Sequence, residues 1–214
     1  IDDVLVLGNP LVENVYEMGS IMKPLTMAAA LDAGVLTRET TYNDLGTIEL
    51  DRRKIANYDG LARGIVNMQE VLNQSLNTGA VFAMQKLGQK RFHDYFKNYG
   101  FDEKTGIDLP GEVSGLMKNL DSPRAVEYAT ASFGQGIAMS PISMTRALAA
   151  LANGGQIIRP HVVKRFEWKS VQAAKDIAPE IQRQVLTAST SEMITKMLVE
   201  VVDTKLAGGK AKLP

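Results

Sequence analysis

Pro24 constrains this chain more than any other residue, because it fixes where the first helix can begin. Proline is tolerated in a helix only in the first turn, where its missing N–H would have no partner anyway. Just downstream stands Ala28-Ala29-Ala30-Leu31, apolar and strongly helix-favouring. The helix is therefore expected to start close to Ser20, run to about Asp32 and stop at Gly34, a good C-terminal cap. Ser20 and Lys23, three residues apart, then share one face. A serine at a helix start has free backbone N–H groups and the positive end of the dipole beside it, which can steady negative charge on an attacked carbonyl. An amine one turn along can take the serine's proton if its pKa is lowered, as burial or a second cation would do. The geometry permits a serine nucleophile with a lysine base.

Alone, the pair is a weak signal, since Ser-x-x-Lys arises by chance about once in a few hundred residues. The plainer alternative makes Ser20 a helix cap and Lys23 a solvated charge. Composition narrows the choice. A net charge of +0 over 214 residues argues against nucleic acid or an anionic membrane surface as the main partner. No stretch approaches the roughly 20 apolar residues of a membrane span, and the N-terminus does not resemble a signal peptide. There is no cysteine, hence no thiol chemistry. A Ser-His-Asp mechanism would have to use His93, in the amphipathic stretch 91–99, or His161, after Arg159-Pro160. Neither has a motif around it, and both read as structural. Without His-Glu-x-x-His or a cysteine pair, neither a metal nor a cofactor is expected.

Further along, residues 37–60 read as a loop with short strands, and Asn67–Gln74 as a helix. Another helix reaches Leu87 and ends at Gly88, and a third covers 90–99 before Gly100. Ser122–Ala131 reads as helical. Ser140, Pro141 and Gly154-Gly155 punctuate the next helix as N-cap, first position and end. Ile157–Phe166 alternates like a strand, and Ser189–Thr204 carries a helical apolar stripe. The opening run Val4-Leu5-Val6-Leu7 reads as the tail of something longer, and the end, from Gly208, as a loop leading nowhere. The whole, 1–214, reads as one domain cut inside at both ends.

Ser75-Leu76-Asn77 lies 55 residues after Ser20, between two helices. Asn77 is expected to cap the helix opening with Thr78. Beside Ser-x-x-Lys the triplet has a chemical use as well: a second hydroxyl can relay a proton, and a carboxamide can hold a substrate amide.

With these residues in place, the chain resembles the transpeptidase domain of penicillin-binding proteins, most closely the monofunctional class B enzymes of cell-wall elongation, division and spore formation. Four blocks in family order carry the resemblance: residues 9–24, 74–79, Thr105-Gly106-Ile107-Asp108-Leu109-Pro110-Gly111-Glu112, and Ser132-Phe133-Gly134-Gln135-Gly136. The resemblance implies a mixed α/β fold in which helices flank an antiparallel sheet, here mostly its helical part. It implies Ser20 as acylated nucleophile, Lys23 as general base, Ser75 as proton relay and Asn77 as holder of the substrate backbone. Gly134 and Gly136 fall in a block near the cleft of such enzymes and are assigned to substrate binding, with a tight turn before the Ser140 helix as the alternative. The implied donor is a peptidoglycan stem peptide ending in D-Ala-D-Ala, with β-lactam antibiotics trapping Ser20 by imitation. The implied setting is the outer face of the bacterial cytoplasmic membrane, anchored by a segment outside these residues, alongside a glycosyltransferase and the cell-wall synthesis machinery.

The family's third element, Lys-Thr/Ser-Gly on a strand edging the cleft, is expected just beyond Pro214, and the first strands before Ile1. The literal Lys104-Thr105-Gly106 precedes a turn at Pro110-Gly111 and is not that element. These 214 residues alone are therefore expected to be catalytically poor. A class D β-lactamase would carry an apolar residue at Asn77, and a class A enzyme an Asp at Leu76. A β-lactam sensor and an inactive truncated homologue remain as alternatives.

Overall fold

The computed structural model describes residues 8–168, 170 and 173–211, so the Val4–Leu7 run and residues 212–214 lie outside the description. Eight α-helices and eight short strands are described. A short helix α1 (Pro10–Glu13) is followed by a tight 3-10 turn at Gly19–Met22, which runs straight into α2 (Lys23–Asp32). Pro24 sits in the first turn of α2, as its missing N–H requires. Gly34, at φ +66, continues past the helix end in the left-handed region open to glycine.

α2 is the centre of the molecule. Leu25, Met27, Ala28, Ala29 and Ala30 are all at most 1% exposed, so the helix is apolar all round and buried all round. It packs against α4 (Asn77–Leu87) and α8 (Ala188–Glu200). The run of alanines allows close approach of these neighbours. α3 (Met68–Asn73), capped by the Asn67 carboxamide, lies so near α4 that a Cβ on Gly79 would fall 2.3 Å from a Val71 methyl. α5 (Gln89–Asn98) contributes Phe92 and Phe96 to an aromatic cluster, with ring centroids 4.0 Å apart, joined by Tyr99, Phe101 and Tyr128.

The strands form antiparallel pairs in two nested sets. β1 (Thr41–Asp44) pairs with β4 (Gly64–Asn67) around the hairpin β2 (Thr47–Leu50) and β3 (Arg53–Ala56). In the same way β5 (Gln156–Arg159) pairs with β8 (Glu180–Gln184) around the hairpin β6 (Arg165–Trp168) and β7 (Ala173–Asp176). α6 (Ala125–Ala131) and α7 (Pro141–Ala149) lie between the two sets in sequence. This is the mixed α/β architecture expected from the sequence, with small antiparallel sheets among helices.

Several boundaries differ from the sequence reading, among them the end of α7, which comes at Ala149 and not at Gly154-Gly155. The strand expected over Ile157–Phe166 is two strands, because Pro160 has no N–H to give and Val162 and Val163 donate theirs to the Asp108 carboxylate at 2.7 and 2.9 Å. The helix expected from Ser122 begins at Ala125, since the Ser122 hydroxyl accepts from Arg124 N. The last helix gives way after Glu200 to a wider turn, Val201–Lys205. Asn77 does not cap α4; it occupies the first helical position, after Leu76.

The aromatic cluster generates a stability test. Replacing the fully buried Phe96 with alanine is expected to cost about 3–5 kcal/mol, whereas Leu45→Ala, at a site 68% exposed, should stay within about 0.5 kcal/mol. Thermal or urea unfolding of the two variants measures the difference, and equal losses would contradict this packing.

Candidate active site

Three of the sequence-derived residues meet at one nitrogen. Lys23 Nζ lies 3.0 Å from Ser20 Oγ, 2.9 Å from Ser75 Oγ and 2.5 Å from Ser75 O. The 3-10 turn before α2 and the first residue of the helix place Ser20 and Lys23 side by side. Ser75 arrives from the α3–α4 junction by an unusual backbone: at φ +53 it is left-handed, a region L-residues seldom adopt and that costs roughly 1–3 kcal/mol. That conformation turns both the carbonyl and the hydroxyl of Ser75 toward the amine.

Ser20 is exposed, and the Lys23 residue is only 3% exposed. No carboxylate is paired with Lys23 among the described residues. Burial therefore acts against the ammonium with no opposite charge to offset it, and pushes the Lys23 pKa down from 10.5 to about 8. The three partners suit both protonation states. An ammonium donates to all three oxygens, while a neutral amine can donate to the two of Ser75 and accept from the Ser20 hydroxyl.

Asn77 stands apart from this nitrogen. Its Nδ2 donates to Ala56 O at 2.8 Å. Asn57 N–H turns toward β2 to reach Gly46 O, so the carbonyl of the same peptide unit, Ala56 O, faces the other way and meets Asn77. Asn77 Oδ1 makes no hydrogen bond among the described residues. Behind it lies a buried polar network that sequence reasoning did not find. The Asp44 carboxylate, fully buried, accepts from Thr78 Oγ1 at 2.7 Å, from Asn57 Nδ2 at 3.0 Å and from the N–H groups of Gly46 and Arg63. Asn57 Oδ1 in turn accepts from Thr78 N. These bonds lock the start of α4 to the β1–β4 loops. Residues 34 positions apart in sequence carry no local signature that would pair them.

Gly134 and Gly136 lie against the segment that carries Ser20. Gly19 N donates to Gly134 O at 3.0 Å, and a Cβ on Gly134, itself at φ +82, would sit 2.3 Å from Gly19 O. Gly136 N donates to the Glu17 carboxylate at 2.8 Å, and Tyr16 and Met139 exchange backbone hydrogen bonds. The two glycines stitch residues 16–19 in place from behind. Gln135, between them, and Phe133, just before them, line a cleft of about 510 Å³ that also contains Asn77 and β3.

Lys104-Thr105-Gly106 is not on a strand. Thr105 Oγ1 and N and Gly106 N all donate to the Glu112 carboxylate, which closes a loop, while Thr105 O and Gly106 O accept from Gln182 and Arg159. His93 is half-buried and His161 exposed, and neither is hydrogen-bonded to Ser20, Lys23 or Ser75. Among the described residues no group of three or more His, Asp or Glu could hold a metal ion, and no helix is long and apolar enough to cross a membrane.

Comparison with known proteins shows the family and the fold. The family described as penicillin binding protein transpeptidase domain matches residues 3–213. The chain is 35% identical over 191 residues to stage V sporulation protein D of Bacillus subtilis, covering 87% of this chain and 29% of that protein. It is 31% identical over 202 residues to the probable peptidoglycan D,D-transpeptidase FtsI of Caulobacter vibrioides, covering 94% and 32%. Among solved structures, penicillin binding protein 3 of Mycobacterium tuberculosis, complexed with aztreonam, aligns with a TM-score of 0.84 at 26% identity, over 94% of this chain and 45% of that one. The chain thus spans about a third of the length of these curated relatives. With a family match over nearly all its residues and the Ser20–Lys23–Ser75 cluster assembled, the chain belongs to the penicillin-binding protein transpeptidase domain family, in its class B branch.

Proposed function

We propose that this chain carries the acylation centre of a peptidoglycan D,D-transpeptidase. The observation that supports the reading most is the buried amine of Lys23, shared between the hydroxyls of Ser20 and Ser75, with no carboxylate among the described residues to hold it charged. With a pKa of about 8, about a quarter of molecules hold that amine neutral at pH 7.5. The neutral amine takes the proton of Ser20 as Oγ attacks the carbonyl of the penultimate D-Ala. Ser20 N–H, at the positive end of α2, donates to the developing oxyanion. The C–N bond to the last D-Ala breaks, and the leaving amine collects the proton from Lys23 through Ser75 Oγ. An amine of a neighbouring stem then attacks the ester, returns its proton to Ser20 by the same route and closes the cross-link. Asn77 Oδ1, left open by the bond its Nδ2 makes to Ala56, accepts an N–H of the substrate backbone.

In this reading β-lactams acylate Ser20, stem peptides are donor and acceptor, and the site of action is the outer face of the cytoplasmic membrane. A glycosyltransferase would supply the strands to be joined. Gly134 and Gly136 act on the substrate indirectly, by fixing the backbone on which Ser20 is mounted.

Three outcomes check the proposal in a protein that contains this chain in full. Ser20→Ala and Lys23→Met are each expected to abolish covalent labelling by a fluorescent penicillin, read on a denaturing gel. Undiminished labelling of either would refute the assigned role. The labelling rate of the unaltered protein should climb about tenfold per pH unit below 7 and level off above pH 8, because only the neutral amine is a base. A rate independent of pH between 6 and 8 would remove Lys23 from the chemistry. Gly134→Ala should slow labelling about a hundredfold, since the added methyl must displace the Gly19 backbone next to the nucleophile. Stopped-flow labelling at wild-type speed would show that the stitch is dispensable.

A further inference from the structure

Next to Asn77 the cleft has a charge that no ion pair balances among the described residues. Its walls are β3 on one side and α6 on the other. The β2–β3 hairpin turns through Asp51 and Arg52, both left-handed at φ 49 and 62, the conformation that lets a two-residue loop follow the twist of its strands. The Asp51 carboxylate then accepts from Val126 N at 2.9 Å, which pins the tip of the hairpin to the first turn of α6 and holds the cleft to one width.

Arg53, Lys54, Arg124 and Glu127 are the charged residues lining it. Arg124 and Glu127 satisfy each other at 3.2 Å. Arg53 and Lys54 form no ion pair among the described residues, although other surface cations, such as Lys90 and Lys196, are paired with an acid four residues away, after the one and before the other. The chain as a whole has a net charge of +0, so two unpaired cations on adjacent residues of one strand are a local excess. Apolar walls from Ile55, Val126 and Phe133 concentrate their field inside the cleft.

From this we infer that the cleft is a subsite for a carboxylate of the peptide donor, bound by Arg53 and Lys54 upstream of the bond that Ser20 attacks. Neighbouring strand residues send their side chains to opposite faces, so the two cations play different parts: the Arg53 guanidinium fork matches both oxygens of a carboxylate, and Lys54 adds positive charge to the lining. The occupant is a peptide because the cleft is continuous with Asn77, whose open Oδ1 suits a backbone amide. The inference rests on the acyl-transfer reading above and adds what part of the substrate is read. The cations of β3 then serve substrate binding at the cleft, while the Lys23 amine has no charge partner among the described residues.

The test uses the protein that contains this chain in full, with Ser20→Ala so that no ester forms. Two fluorescent peptides ending in D-Ala-D-Ala are compared by anisotropy. They are identical except that a side-chain or α-carboxylate upstream of the scissile bond is free in one and amidated in the other. The free acid is expected to bind about tenfold tighter at low salt, with the advantage shrinking as salt screens it. In Arg53→Gln/Lys54→Gln the ratio of the two affinities should fall to about one. Arg53→Glu/Lys54→Glu should invert the preference toward the amidated peptide. Equal affinities in the starting protein, or a ratio that survives the double substitution, would overturn the subsite. Penicillin labelling of the protein with Ser20 intact separates the two ideas. Labelling with equal peptide affinities defeats the subsite alone, whereas absence of labelling defeats the acyl-transfer reading beneath it.

Discussion

A lysine amine withdrawn from water without a counter-charge is the constraint on which the rest of the site depends. Burying an ammonium is costly, and the described residues offer Lys23 three oxygens but no carboxylate. A carboxylate partner would stabilise the ammonium and raise its pKa; hydroxyl and carbonyl partners leave burial as the dominant influence, and the pKa settles near 8. The linkage has a definite sign. Between pH 8 and 10.5 the unfolded chain holds the proton and the folded one does not, so this residue's contribution makes folding more favourable as pH rises through that window. Below pH 8 the full penalty of a buried ammonium is present. Stability at neutral pH is thus given up at the residue that makes the serine reactive.

Two further compromises surround that amine. Ser75 is held left-handed so that both its oxygens reach Lys23. Gly134 permits a backbone-to-backbone approach to Gly19 that no side chain would allow. These features hold because the surroundings over-determine them. α2 is buried on every side, Thr26 Oγ1 donates to Ser132 O, and Tyr99 OH donates to Leu25 O. The Asp44–Asn57–Thr78 network fixes the start of α4 in the same way. Strain at the reactive centre is thereby supported by a rigid, mostly apolar frame.

Much of this was legible in the sequence because it is local. Pro24 set the start of α2, the glycines after Asp32, Leu87 and Asn98 marked helix ends, and Ser140-Pro141 announced α7. The face shared by Ser20 and Lys23 followed from spacing alone. What remained hidden was long-range. β4 has only two β-favouring residues, Ile65 and Val66, too short a run to read as a strand before β1 is laid beside it. Asp44 reads as a turn residue until Thr78 and Asn57 are brought to it. Asn77 looked like a cap and instead reaches across to Ala56, a choice set by where β3 lies. Gly134 and Gly136 were recognisable as special positions, but the direction they face depends on the chain folded against them.

The central claim concerns one proton on one nitrogen, and it can be observed without any reaction. Lysine Cε chemical shifts, followed by NMR from pH 6 to 11 and assigned by comparison with Lys23→Met, report the titration of Lys23 directly. The account predicts a midpoint near 8, well below the 10.5 of a free lysine side chain. A midpoint near 10.5 would mean that the amine is charged at neutral pH, and would contradict its role as base for Ser20.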